Sequence, residues 1–264
     1  MKQEWLEGHR ARKRFGQNFL HDHHWINRII RSIDAKPRDC IVEIGPGQAA
    51  MTREIIALAG HETAVEIDRD LAAFLRRQFT KEQLTLIEAD ALKLDWSSVH
   101  PRRRIRIIGN LPYNISSPLL FKLTEVADRV IDQHFMLQKE VVDRMVATPG
   151  SKTYGRLSVM LQYRYKMYKL FDVPPGAFVP PPKVTSSIVR MIPRPLQELE
   201  PVDSTIFSNL VTAAFGQRRK TLRNAVRDFL TNRDFRQLNI AAESRAERLS
   251  VQDFIRMAQW IRRK

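Results

Sequence analysis

Between Ile41 and Leu137, short apolar runs alternate with stretches of helical composition, and this alternation admits few architectures. Ile41–Ile44 is followed by the helical stretch Ala50–Ala59, then by Thr63–Ile67, the helix Leu71–Phe79 and the run Leu84–Ile87. Ile105–Ile108 comes after a basic loop, and the helix Pro118–Val126 precedes the apolar run Ile131–Leu137. Strands that alternate with helices pack as a parallel sheet covered on both faces, because each crossover lays a helix over it. A short helix is expected before this region, about Asp22 to Ile33. Two β-rich segments, Val159–Tyr165 and Ser186–Ile192, are expected on either side of the stretch Val173–Lys183. Pro193 and Pro195 mark a domain boundary. Beyond them, residues 201–264 carry 13 Lys and Arg against 6 Asp and Glu and read as a small, basic helical domain.

The charge of the whole chain narrows its partners. Its 264 residues carry a formal net charge of +15, which favours a polyanion such as nucleic acid or an anionic membrane surface. No run of eighteen apolar residues exists to span a bilayer. The first residues form a basic arm, 1–14, with Lys2, His9, Arg10, Arg12, Lys13 and Arg14, and lack the apolar stretch of a secretory signal. The lone cysteine, Cys40, excludes an internal disulfide and fits a reducing cytoplasm. These features lead to the expectation of a cytoplasmic protein that does not bind membranes.

In open α/β sheets, ligands bind where the strands end. The first long strand ends in Glu43-Ile44-Gly45-Pro46-Gly47, and Gly45 and Gly47 let the backbone turn sharply against a ligand. A dinucleotide fingerprint, or a tight turn without a ligand, would look much the same. Glu66 closes the next strand, where a carboxylate accepts from both hydroxyls of a ribose. That identifies a ribose and leaves the cofactor open. Asp90, after the third strand, is placed to accept from an adenine amine, so the three strand ends together describe an adenosine-bearing cofactor.

Asn110-Leu111-Pro112-Tyr113 follows the fourth strand and selects among such cofactors. An aromatic amine is a poor nucleophile because its lone pair is delocalised into the ring. Acceptors for its two hydrogens, the Asn110 side-chain oxygen and the Leu111 carbonyl, favour a pyramidal and more reactive nitrogen. Pro112 stiffens the turn, and Tyr113 offers a face on which a base stacks, worth roughly 1–3 kcal/mol. No Ser/His/Asp or Cys/His arrangement accompanies the motif, and methylation of an amine needs no strong general base.

These motifs, with Phe15-Gly16-Gln17-Asn18-Phe19-Leu20, resemble the ribosomal RNA adenine dimethyltransferase family, its bacterial small-subunit branch in particular. The resemblance runs from about Phe15 to the C-terminus. It implies a Rossmann-like class I methyltransferase sheet with a small C-terminal all-α domain; after the basic arm 1–14, which the resemblance does not cover, the expected division is a catalytic domain 15–195 and an RNA-binding domain 196–264. It implies S-adenosylmethionine as cofactor, bound by Asn18, Leu20, Gly45, Gly47, Glu66, Asp90 and Asn110, and no metal. Phe178 is implied to pack on the target adenine opposite Tyr113. Arg218, Arg219, Lys220, Arg223 and Arg227 are implied to hold the RNA backbone. The target would be two adjacent adenosines near the 3′ end of 16S rRNA in the 30S subunit, dimethylated at N6 by a monomer with a part in subunit biogenesis. Competing expectations are a 23S rRNA adenine methyltransferase of the macrolide-resistance type and a non-catalytic ribosome assembly factor. Arg102–Arg104 reads as a solvated charge run. His21, His23 and His24 read as polar residues near the site entrance, because neighbours at a helix start rarely converge on one ion.

Overall fold

The computed structural model describes residues 17–217 and 219–264, so the basic arm 1–14, Phe15, Gly16 and Arg218 lie outside the described residues. By contact density the chain divides into two units, one of residues up to 142 with 168–193, the other of 143–167 with 194–264. The sequence-based division had left 143–167 in the catalytic domain.

The first unit begins with a two-residue strand β1 (Phe19–Leu20) and helix α1 (His23–Ile33). Asp22 caps α1, its carboxylate accepting from the backbone N–H of His24 at 2.8 Å and of Trp25 at 3.4 Å. Ile26, Ile29, Ile30 and Ile33 recur at helical spacing and are the buried face of α1. There follow β2 (Ile41–Ile44), α2 (Thr52–Ala59), β3 (Glu62–Glu66), α3 (Arg69–Gln78), β4 (Leu84–Glu88), β5 (Ile105–Asn110), α4 (Ser116–Leu123) and β6 (Val130–Gln138). Every residue of β2 and β3 is buried, as expected of strands covered on both faces.

After α5 (Lys139–Met145) the chain departs from the sequence expectation. Residues 156–164 form helix α6 (Arg156–Arg164), where a β-rich segment Val159–Tyr165 was expected. The β-branched and aromatic residues suggested a strand, but Ser158, Leu161 and Arg164 are buried at a spacing of three, which is a helix face. The strand begins where that helix ends, as β7 (Tyr165–Val173), and is followed by the short β8 (Phe178–Val179) and by β9 (Ser186–Pro193). The large sheet has the order β4-β3-β2-β5-β6-β9-β7. Its first five strands are parallel, as the alternation required, but β9 runs antiparallel to β6, so the sheet is mixed. β1 and β8 pair separately, antiparallel, with Leu20 opposite Phe178.

The order reverses between β2 and β5, which makes their carboxyl ends the switch point of the sheet. Register there is tight, with Ile44 opposite Gly109. A Cβ on Gly109 would lie 2.6 Å from the Ile44 carbonyl oxygen, closer than real contacts allow. Gly109→Ala is therefore expected to push β5 from β2 and destabilise the protein by about 1–3 kcal/mol. The control is Gly176→Ala, where a Cβ meets nothing within 4 Å, and thermal denaturation of the two variants checks the difference.

The second unit is built on α6 and on α7 (Ser204–Gly216), α8 (Leu222–Ala225), α9 (Asn232–Leu238) and α10 (Val251–Arg263). Its own core gathers Val159, Phe207, Leu210, Phe235 and Phe254. Thr231 with Asp234, and Ser250 with Asp253, form capping boxes that start α9 and α10. No helix among the described residues is long and apolar enough to cross a membrane.

Candidate active site

A cavity of about 310 Å³ opens at the switch point, where β2, β3, β4 and β5 all end. Asn18, Leu20, Gly45, Gly47, Glu66, Asp90, Asn110, Leu111, Pro112 and Tyr113 all line it. Gly45 (φ 68°) and Gly47 (φ 57°) take left-handed backbone, and a Cβ on Gly47 would meet the Phe19 ring at 3.1 Å. The loop thus forms a cradle that a side chain would fill.

Glu66 ends β3 almost fully buried, and both carboxylate oxygens are held by backbone. The N–H of Asp68 donates to Oε1 at 2.9 Å, and that of Gly47 to Oε2 at 3.3 Å. Burial pushes its pKa up to about 7, against the pull of those N–H donors. Glu43, one strand away, is also pushed up to about 7 by burial, with the Thr52 hydroxyl donating to it at 2.6 Å. Asp90 accepts from the Leu92 N–H at 2.9 Å, which fixes its carboxylate at the end of β4.

Of the lining residues that the sequence does not single out, three bear on a ligand. Ile67, 45% exposed directly after Glu66, and Leu92, two places after Asp90, are apolar residues at the cavity edge. Their signal was adjacency to an acidic strand end. Gln48 also lines the cavity, and its Oε1 is a buried acceptor with no partner. A buried acceptor left unpaired is costly and suits a ligand that brings a donor. The glycine cradle, the orphaned Gln48 oxygen and the fixed acids fit an amino-acid-linked adenosine such as S-adenosylmethionine.

Asn110 is the last residue of β5. Its amide nitrogen donates to the Asn18 carbonyl at 3.0 Å, and this contact sets which way the amide points. The side-chain oxygen is then the free end of the group. Leu111 is anchored by its N–H to the Met136 carbonyl at 3.1 Å, and Ile115 N–H closes the turn on the Pro112 carbonyl at 3.2 Å. The Tyr113 hydroxyl pairs with the Ser186 hydroxyl at 2.9 Å, and burial raises the phenol above its ordinary pKa, so it stays neutral. Ser186, buried at the start of β9, had no signal in the sequence as a partner of Tyr113.

Other expected residues are placed elsewhere. Phe178 does not line the cavity; it is 2% exposed and packs with Leu20, Ile26 and Ile30. In the second unit, Arg219 and Lys220 are exposed, Arg223 pairs with Glu243 at 3.0 Å and Arg227 with Asp228 at 3.7 Å. His23 and His24 are exposed at the start of α1, and among the described residues no group of three or more metal-ligating side chains comes together.

Comparison with known proteins agrees with this geometry. A family described as ribosomal RNA adenine dimethylase matches residues 8–263. Ribosomal RNA small subunit methyltransferase A of Aromatoleum aromaticum is 56% identical over 98% of this chain and 97% of its own. A dimethyladenosine transferase from Plasmodium falciparum superposes with a TM-score of 0.77 at 26% identity, covering 93% of this chain and 98% of that one. The 23S rRNA methyltransferase ErmE superposes at 0.69 with 22% identity, covering 93% and 100%, which is a likeness of fold. A sheet with its switch-point cavity, an amide oriented at the end of β5 and a family match over nearly the whole length agree: this chain belongs to the ribosomal RNA adenine dimethylase family.

Proposed function

We propose that the chain transfers methyl groups from S-adenosylmethionine to N6 of two adjacent adenosines near the 3′ end of 16S rRNA, within the small ribosomal subunit. The observation that carries this reading is Asn110. Its amide is turned by Asn18 so that an acceptor oxygen faces away from the tie, at the rim of a cavity that fits the cofactor. When bound, the cofactor supplies an electrophilic methyl group. Glu66 accepts from the ribose hydroxyls, Asp90 from the adenine amine, and Ile67 and Leu92 pack on the adenine. The Gln48 oxygen accepts from the ammonium of the methionine portion.

The target base leaves its stack and lies on Tyr113, whose ring is held by Ser186. Asn110 Oδ1 and the Leu111 carbonyl accept the two amine hydrogens, which raises electron density on nitrogen as it attacks. The nitrogen then carries positive charge, and its proton passes to water. Phe178 takes part only if it is uncovered. Leu20, which lines the cavity, lies opposite Phe178 in the β1–β8 ladder. Arg219 and Lys220, exposed and without a carboxylate partner among the described residues, hold the RNA backbone together with Arg218, which lies outside them.

The test is transfer of labelled methyl from S-adenosylmethionine to unmethylated small subunits, large subunits and DNA. Dimethyladenine in small-subunit RNA alone is the expected product. Label in the large subunit or in DNA instead would overturn the substrate assignment.

Glu66 makes cofactor affinity depend on pH. Its carboxylate accepts two ribose hydroxyls, and the protonated form loses one acceptor. With a pKa near 7 in the empty site, affinity is expected to fall as pH drops from 8 to 6 and to level off above. Glu66→Gln should bind more weakly and lose most of that slope, leaving what Glu43 contributes. Calorimetry across this range checks it, and a wild-type affinity flat from pH 6 to 8 would remove Glu66 from the ribose.

A further inference from the structure

At the opposite edge of the sheet, where β2, β3 and β5 begin, lies a second cavity of about 360 Å³. Arg38, Cys40, His61, Thr63, His100 and Arg103 bound it. It is separated from the cofactor cavity by the length of β2, and it contains a member of the Arg102–Arg104 run that the proposed reaction does not use.

The walls are knit together by their polar groups. Arg103 Nη2 donates to the Arg38 carbonyl at 2.9 Å, and the Arg103 N–H to the His100 carbonyl at 3.0 Å. His100 Nε2 pairs with the Thr63 hydroxyl at 2.8 Å, and His61 Nε2 with the Thr85 hydroxyl at 3.0 Å. Arg38 and His100 are both held in left-handed backbone, at φ 69° and 48°. Arg104, next in the run, points its Nη2 to the Val130 carbonyl at 3.3 Å, so Arg103 is the one the run gives to the cavity.

The charge of this cavity is one-sided. Asp39 is its sole carboxylate, and Asp39 Oδ2 already accepts from Arg106 Nη1 at 2.8 Å and from the Lys36 N–H at 3.0 Å. Neither Arg38 nor Arg103 has a carboxylate partner among the described residues. Burial first, then the charges of Arg103, His61 and Arg129, hold the His100 pKa below its ordinary value, so these groups stand close enough to disfavour one another. Positive groups gathered in a concavity whose one carboxylate is already engaged by Arg106 and the Lys36 N–H favour an anion. Two guanidinium groups suit the tetrahedral oxygens of a phosphate, and the Thr63 hydroxyl with the His61 and His100 rings adds further hydrogen-bonding groups.

We propose that this cavity is a phosphate-binding site. Its phosphate comes from the backbone of the RNA substrate or from a free phosphate compound, and the RNA source alone rests on the function proposed above. The first measurement is a titration of the full chain with inorganic phosphate at pH 7 and constant ionic strength, read by the imidazole resonances of each histidine. His61 and His100 are expected to shift saturably, with the buried His134 unmoved. Arg38→Gln and Arg103→Gln, tested separately in case either loosens the loop, should each weaken phosphate binding by about tenfold and leave cofactor affinity unchanged. Shifts that fail to saturate by about 10 mM, or that persist unchanged in both variants, would overturn the site.

A second arm distinguishes the sources. If Arg103→Gln also weakens binding to small subunits and lowers the slope of log K against log salt by about one, the phosphate belongs to RNA. If phosphate binding is lost in that variant while subunit binding and its salt slope are unchanged, the site takes a free phosphate compound. Both results support the site, and neither depends on whether methyl transfer is observed.

Discussion

Asn110→Ala is expected to lower the rate of methyl transfer by about 10²–10³, or roughly 2.7–4 kcal/mol, while cofactor affinity changes little. The loss is this large because the acceptor is preorganised. The amide is already turned by the Asn18 carbonyl at 3.0 Å, on the end of a strand locked to β2, so no reorganisation is required as the nitrogen becomes pyramidal. Alanine removes the acceptor and also the bond to the Asn18 carbonyl. Asn110→Asp separates the two effects, since it keeps acceptor oxygens but cannot donate to Asn18. An intermediate rate is expected for it. Single-turnover transfer measures the chemical step, and calorimetry measures the cofactor. An alanine variant with wild-type single-turnover rate would show that the amine hydrogens are accepted elsewhere. One that has lost the cofactor would make Asn110 a binding residue only.

Much of this site could be read in advance because its residues sit where strands stop. Gly45 directly follows β2, Glu66 and Asn110 end β3 and β5, Asp90 comes two residues after β4, and parallel strands open all their carboxyl ends on one edge. The residues that could not be read are those whose roles depend on non-local contacts. Ser186 is 73 positions from Tyr113, and only the antiparallel pairing of β9 with β6 explains its place beside the turn that follows β5. Phe178 was expected beside the base, yet the β1–β8 ladder turns it into the core with Leu20. α6 was mistaken for a strand because a nine-residue stretch with Val159 and Tyr163 satisfies either period locally. Its buried face belongs to the core formed with α7 and α10, more than forty residues later. The mixed sheet was likewise invisible, since direction is set by the connection between strands and not by the composition of either.

Arg106 is where a single substitution should cost the fold most. From the start of β5 its Nε and Nη2 hold both oxygens of Asp132, at 2.8 and 3.0 Å, and its Nη1 reaches Asp39 at 2.8 Å. Nη2 also donates to the Ile33 carbonyl at 2.5 Å, tying the end of α1 to the sheet. Arg106 is 7% exposed and Asp132 1%, so water cannot replace what is lost. Arg106→Ala leaves Asp132 with Arg190 at 3.1 Å and His134 at 4.0 Å, and is expected to destabilise the protein by about 3–5 kcal/mol at pH 7. Burial by itself would raise the Asp132 pKa, but the hydrogen bonds and charge of Arg106, with His134 and Arg190, hold it below the ordinary 3.8. A carboxyl lowered on folding adds stability above its unfolded pKa and loses it as pH falls through the folded value. The gap between wild type and Arg106→Ala should therefore narrow as the pH is taken below about 4. Paired denaturation curves at pH 7 and in acid measure this, and a gap constant with pH would mean that the loss is packing rather than charge. The double variant Arg106→Met with Asp132→Leu separates the two again. Removing both charges should recover much of the stability, because the penalty lies in one buried ion deprived of its partner. Methyl transfer should persist in that variant, since Arg106 and Asp132 stand at the edge of the sheet opposite to Asn110.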